Sequence, residues 1–162
     1  MELLDGCVVA FAGGTVVHGV LCTKIVSLLA GAADPACYVF TSDVALELAQ
    51  RPGYYFPDAS YTCEKLEASA TKIRAPKLVV EVISPDSQSH DRVEKLDAYQ
   101  SVAAVDEYLL IDSRRVWVCL FRRFGPSWTE SVYGLGDSFQ LDCVRLTVSV
   151  DELYAGLGRS LN

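Results

Sequence analysis

The sequence predicts an α/β (α+β) domain with a mixed central β-sheet flanked by helices and a β-hairpin towards the C-terminus. Three observations predict it. Residues 77–84 and 107–111 are apolar runs of strand length with little polar alternation, the pattern of strands covered on both faces. Two helical segments, residues 15–30 and 90–104, are interspersed with these strands. Hydrophobic residues make up 51% of a 162-residue chain, so one domain over residues 1–162 can bury a real core.

In chain order, residues 7–11 read as a short strand, punctuated by Gly13-Gly14. Thr15 is a suitable N-cap for a helix running to about residue 30, which Gly31 and Pro35 are expected to end. Residues 38–40 and 43–48 are an extended pair or one kinked strand, and Arg51-Pro52-Gly53 is a turn. Residues 54–63 form an aromatic-rich strand with Pro57-Asp58 in its middle. A proline inside a strand implies an edge or a bulge, and bulges re-aim side chains near active sites. Strand 77–84 follows, then the breaker Ser84-Pro85-Asp86, helix 90–104 and strand 107–111. Residues 116–122 and 127–133 alternate around Gly125-Pro126 as a hairpin, and residues 150–157 read as a last short helix.

Glu81 is the anomaly. It lies inside Lys77-Leu78-Val79-Val80-Glu81-Val82-Ile83-Ser84, where an ionised carboxylate needs a partner, a metal or a shifted pKa. A strand-end glutamate with a salt-bridge partner is the plain explanation, but perturbed buried acids cluster at working sites. The next helix strengthens the second explanation. At about 100° per residue, Asp91, Lys95, Tyr99 and Val102 fall on one face and His90, Glu94, Asp97 and Ser101 on the opposite one. A short connection folds this helix back over the strand, so Lys95 is expected to face Glu81. If strands 54–63 and 77–84 are antiparallel neighbours, Asp58 approaches Glu81 as well. Two close carboxylates repel unless they share a proton or a cation. A hard cation with oxygen ligands, Mg²⁺ or Mn²⁺, satisfies both, and the backbone carbonyl of Val82 could add a third ligand. Two carboxylates, a divalent metal and a lysine suit phosphodiester hydrolysis, the lysine positioning water or stabilising developing charge.

These residues resemble the PD-(D/E)XK nuclease superfamily, and more closely its Uma-type family of putative restriction endonucleases. The resemblance is carried by Tyr54-Tyr55-Phe56-Pro57-Asp58, Leu78-Val79-Val80-Glu81-Val82-Ile83-Ser84-Pro85, Asp91-Arg92-Val93-Glu94-Lys95-Leu96 with Tyr99, and Glu107-Tyr108-Leu109-Leu110-Ile111-Asp112. Weaker echoes are Leu3-Leu4-Asp5-Gly6, His18 and Ser42-Asp43-Val44. The resemblance implies a restriction-endonuclease-like core, a Mg²⁺-dependent site and DNA as substrate. It assigns Asp58 and Glu81 as catalytic, metal-binding acids. The superfamily lysine normally lies two residues after the second acid, where this chain has Ile83, so Lys95 is the candidate for a lysine that has migrated to the following helix. Asp91, His18 and Tyr99 are accessory candidates. The first helix carries no acid, and His18 is the residue that could take that place.

Composition limits the alternatives. A net charge of −7 argues against a protein that coats nucleic acid by charge alone. A catalytically inactive nuclease-fold domain acting as a binding or assembly module is the alternative to the enzyme. A glycosidase using Asp58 and Glu81 as its acid pair leaves Lys95 without a role. Arg114, Arg115, Arg122 and Arg123 form either a basic edge or a solvated surface. Trp117, Phe121 and Trp128 belong to a homodimer face or to the core. The segment 16–33 is interrupted by His18, Lys24 and Ser27, so no membrane association is expected. The six cysteines make no CxxC pair and no signal peptide is seen, so a cytoplasmic protein with reduced, buried thiols is expected.

Overall fold

The elements, in chain order, are β1 (Glu2–Leu4), β2 (Cys7–Val9), α1 (Val16–Ala32), β3 (Tyr38–Thr41), β4 (Ala45–Glu47), β5 (Gly53–Tyr55), β6 (Ala59–Thr62), β7 (Lys72–Ile73), β8 (Pro76–Ile83), α2 (Ser89–Ser101), β9 (Glu107–Asp112), β10 (Val118–Phe124), β11 (Ser127–Tyr133), β12 (Ser138–Leu141), β13 (Leu146–Ser149) and α3 (Val150–Leu153). They come from a computed structural model that describes residues 2–4, 7–9, 14–48, 53–83 and 89–157, with side chains at 14–48, 53–83 and 94–157. A six-stranded mixed sheet has the order β11-β10-β9-β8-β6-β3, in which β8 and β9 are parallel and the other neighbours antiparallel. A second sheet, β2-β1-β5-β4-β7, and the β12–β13 pair complete the architecture.

The apolar runs occupy the centre because both of their faces are covered. Every residue of β9 is buried, as is all of β8 except the half-buried Lys77. Strand periodicity sends alternate residues to opposite faces. Val80 and Val82, with Leu109 and Ile111, meet the Leu21, Ile25 and Leu29 stripe of α1. Val79, with Tyr108 and Leu110, meets Ala98 and Tyr99 of α2, Val102 just beyond it, and Leu46 and Tyr55 of the second sheet. By the same alternation Glu81 shares the α2 face with Val79.

Several expectations are corrected. The aromatic strand 54–63 divides into β5 and β6, which belong to different sheets, and Phe56-Pro57-Asp58 is the crossover. Proline cannot donate to a ladder, so the segment leaves one sheet and enters the other there. Gly31 lies inside α1, which continues to Ala32 before the extended Ala33. Helix α2 ends at Ser101, short of residue 104, because the Arg123 guanidinium collects the carbonyls of Gln100, Val102 and Val105. That is a tertiary cap from β10, invisible to local propensity. The β1 and β7 strands of the second sheet, three and two residues long, and the β12–β13 pair, four residues each, went unread, as did the grouping of β2, β4 and β5 into a sheet of their own. The breaker at residues 84–86 lies outside the described residues.

The cysteine expectation is also overturned. Cys37 and Cys63 form a disulfide, 26 residues apart in sequence. Each lies one position beyond the Tyr38↔Thr62 pair of the β3–β6 ladder, so strand register alone brings the sulfurs together. Among the described residues Cys22, Cys119 and Cys143 are in no disulfide. No helix of the described residues is long and apolar enough to cross a membrane.

Candidate active site

The C-terminal end of β8 is where α1, on one face of the central sheet, and α2, on the other, reach the same stretch of backbone. On the α2 face, Lys95 Nζ lies 3.3 Å from Glu81 Oε1 and the Tyr99 hydroxyl donates to the same oxygen at 2.6 Å. All three side chains are buried: Glu81 is 7% exposed, Lys95 5% and Tyr99 0%. The helical angle puts Lys95 and Tyr99 one turn apart on the inward face, as the periodicity predicts. Edge-to-face contacts with Tyr55 and Tyr108, at centroid distances of 5.4 and 5.1 Å, hold the Tyr99 ring and so aim its hydroxyl.

On the α1 face, Asp58 continues the antiparallel register of β6 with β8, in which Ala59 pairs with Val80. Its Oδ2 accepts the Val82 backbone N–H at 2.7 Å and lies 3.3 Å from His18 Nε2. Cys22, one helical turn after His18, brings its Sγ to 3.5 Å from His18 Nδ1. The Thr15 side chain accepts the His18 backbone N–H and caps α1, as expected. Gly14 leaves room for the ring, since a Cβ there would stand 2.6 Å from His18 Nδ1. His18, Cys22 and Asp58 also border a cleft of 520 Å³ whose other walls include Thr23, Thr41 and Ser42.

The electrostatics are those of a concentrated negative corner. His18 is held above its ordinary value, first by its hydrogen bond to Asp58, against burial, and then by the charges of Asp58 and Glu81 and the backbone of Val82. Burial, followed by the same two carboxylates, pushes the Cys22 thiol far up. The neighbouring acids therefore favour the protonated form of His18.

Thus the structure brings Glu81 to Lys95 and Tyr99, and Asp58 to His18 and the Val82 backbone. The two acids were expected to approach each other across neighbouring strands, and both reach the end of β8, Glu81 beside Lys95 and Tyr99 and Asp58 beside His18. The side chain of Asp91 lies outside the described side chains. The second buried strand glutamate shows the contrast: Glu107 accepts from Arg122 and from the Asp142 and Cys143 backbone N–H groups, a purely structural set.

The arginines do not make a basic edge. Arg114 and Arg115 pair with buried Asp112, Arg122 with Glu107 and Asp142, and Arg123 caps α2 while stacking over Trp128. Phe121 is core, and Trp117 and Trp128 are partly buried against the same cluster.

Comparison with known proteins agrees with this fold. The profile of the Uma2 family, described as "Putative restriction endonuclease", matches residues 1–151. The chain belongs to the Uma2 family. Relatives of this Uma2 chain include two uncharacterized proteins of Synechocystis sp. One, slr1290, is 31% identical over 96% of this chain and 84% of its own length. The other, sll1609, is 29% identical over 68% of this chain and 65% of its own. Among solved structures, a putative nuclease belonging to DUF820 from Anabaena variabilis superimposes with a TM-score of 0.78 at 17% identity, covering 95% of this chain and 89% of that one. At that identity the likeness is one of fold, and the fold is nuclease-like.

The donor chemistry of the Uma2 site suits a divalent cation: carboxylate oxygens, an imidazole and backbone in a corner already loaded with negative charge. Sequence reading missed one member, Cys22. Its signal was the i, i+4 spacing from His18, which places both on one face of α1. A search confined to CxxC pairs passes over it.

Proposed function

We propose that this chain is a divalent-metal-dependent endonuclease that hydrolyses DNA phosphodiester bonds in the cytoplasm. The convergence at one end of β8 carries the reading: Glu81 with Lys95 and Tyr99 on one side, Asp58 with His18 and the Val82 backbone on the other. In this reading Asp58, Glu81 and the Val82 carbonyl, with His18 beside them, hold Mg²⁺ or Mn²⁺. When bound, that cation polarises the phosphoryl oxygen and acidifies a water. Lys95 positions the attacking water or stabilises charge developing on the phosphate. Tyr99 fixes the carboxylate that Lys95 faces, and the adjoining cleft, lined by hydroxyl groups of Thr23, Thr41 and Ser42, admits the strand. All of these groups come from one chain, so a homodimer is not required for the chemistry.

The test is cleavage of plasmid and linear single-stranded DNA with Mg²⁺ or Mn²⁺. Cleavage should need the metal and be lost in Glu81→Ala and Lys95→Ala. Cleavage that survives both substitutions would sink the assignment. A nuclease-fold binding module is the second reading. It is favoured by the net charge of −7 and by arginines already committed to internal carboxylates and carbonyls. It predicts wild-type binding to its partner without cleavage in any metal.

A further inference from the structure

Cys22 has no part in the hydrolysis proposed above, yet its sulfur sits in the same corner. His18 Nε2 is 3.3 Å from Asp58 Oδ2 and 3.9 Å from Cys22 Sγ, and one ligand atom from each of the three residues lies within 4.8 Å of the others. With Zn–N and Zn–O bonds of about 2.0 Å and a Zn–S bond of about 2.3 Å, tetrahedral ligands stand roughly 3.3–3.6 Å apart. The observed spacings match the nitrogen–oxygen pair and exceed the nitrogen–sulfur pair by a few tenths of an ångström, a gap that rotation of the Cys22 side chain can close.

We infer that Cys22, His18 and Asp58 form a binding position for a thiophilic divalent cation of the Zn²⁺ class, and that its occupation inhibits the nuclease. The inhibitory half rests on the proposed function, while the binding half does not. A sulfur ligand is wasted on Mg²⁺, which takes oxygen, and strongly favours zinc, which also stands far above Mn²⁺ in affinity for mixed nitrogen, oxygen and sulfur sites. Binding breaks the Cys22 S–H bond and displaces any proton on His18 Nε2, releases these protons to solvent and forms metal–sulfur and metal–nitrogen bonds from the freed lone pairs, with no change of oxidation state. It also occupies Asp58, which the activating cation needs. Helix α1 supplies two of the three ligands one turn apart, and its N-cap at Thr15 and the room left by Gly14 fix where they start.

Cobalt(II) is the direct probe. Titrated into the whole chain, it should produce the intense near-ultraviolet sulfur-to-cobalt charge-transfer band, and Zn²⁺ should bleach it. Cys22→Ser should lose the band and hold Zn²⁺ at least about tenfold more weakly in competition with a chromophoric chelator. No band in the wild type, or a band that persists in Cys22→Ser, overturns the site, since Cys119 and Cys143 also lie outside the disulfide. A second measurement needs no variant: Zn²⁺ should protect Cys22 from iodoacetamide, read by peptide mass spectrometry, and unprotected alkylation overturns the site equally. Zn²⁺ added to the Mg²⁺-activated protein should stop cleavage. Undiminished cleavage while the cobalt band is present overturns the inhibitory half. Absence of cleavage in every metal defeats the nuclease reading and that half with it, while the band and the alkylation decide the zinc position independently.

Discussion

Replacing Lys95 with methionine removes the ammonium from a buried ion pair and keeps most of the side-chain volume. Lys95 and Glu81 are 5% and 7% exposed and 3.3 Å apart, so solvent does little to screen the loss. Breaking a buried pair by removing one partner costs about 3–5 kcal/mol. Glu81 can relieve this by taking up a proton, at a cost of about 1.4 kcal/mol for each unit between pH 7 and the ordinary glutamate value near 4.3. That route caps the destabilisation just below about 4 kcal/mol, so about 3–4 kcal/mol is expected at pH 7. A carboxyl whose folded pKa is raised destabilises fully above that pKa and not at all below its unfolded value, so the deficit should shrink as pH falls towards 4. Adding Glu81→Gln, which removes the stranded charge and keeps an oxygen for the Tyr99 hydroxyl, should recover at least about 2 kcal/mol. Urea unfolding followed by the fluorescence of Trp117 and Trp128 measures Lys95→Met, Glu81→Gln and the double variant. Additive losses in the double variant, or a pH-independent Lys95→Met deficit below about 1 kcal/mol, would refute a buried coupled pair.

Four further outcomes are expected. Tyr99→Phe keeps the ring packing and loses the 2.6 Å bond to Glu81, so it should cost about 1.5–3 kcal/mol in urea unfolding and slow cleavage. Arg114→Ala tests Asp112: burial raises its carboxyl, but the Arg114 hydrogen bonds outweigh this and hold it below the ordinary 3.8. The stability so gained is present above pH 3.8 and lost as pH falls through the depressed folded value, so wild type and variant should converge in acid and diverge above about pH 4 in thermal melts. Reducing Cys37–Cys63, which closes a loop of 26 residues, should lower stability by about 3.5 kcal/mol, and Cys37→Ser should be insensitive to reductant. Gly14→Ala places a Cβ 2.6 Å from His18 Nδ1 and should weaken cobalt binding about tenfold by displacing the ring.

Much of the active corner was legible. Glu81 announced itself as a charge in an otherwise apolar strand, and an angle of about 100° per residue was enough to turn Lys95 and Tyr99 towards it. Antiparallel pairing of strands 54–63 and 77–84 was a condition the sequence left open, and the structure meets it between β6 and β8, with Asp58 just before the Ala59↔Val80 pair. Other features had no local trace. Residues 54–63 look continuous because alternation and aromatic content do not say when a chain changes sheets. Arg123 looks like a solvated hairpin residue until α2 is known to end beneath it. Cys37 and Cys63 carry no spacing signature, because their meeting is a consequence of the β3–β6 register.

The sequence by itself determined the composition of the central sheet, the inward face of α2 and the acids and lysine at the end of β8. Hydrophobic periodicity and the cost of burying charge are local or nearly local quantities, and they are written residue by residue. The tertiary structure alone decided how those groups are shared out. Strand alternation sends Glu81 to the α2 face, while Asp58, carried past the crossover at Pro57, meets α1, and only there do His18 and Cys22 join it. Which partners an acid acquires depends on elements far apart in sequence being packed on opposite faces of one sheet, and no window of the chain contains both faces.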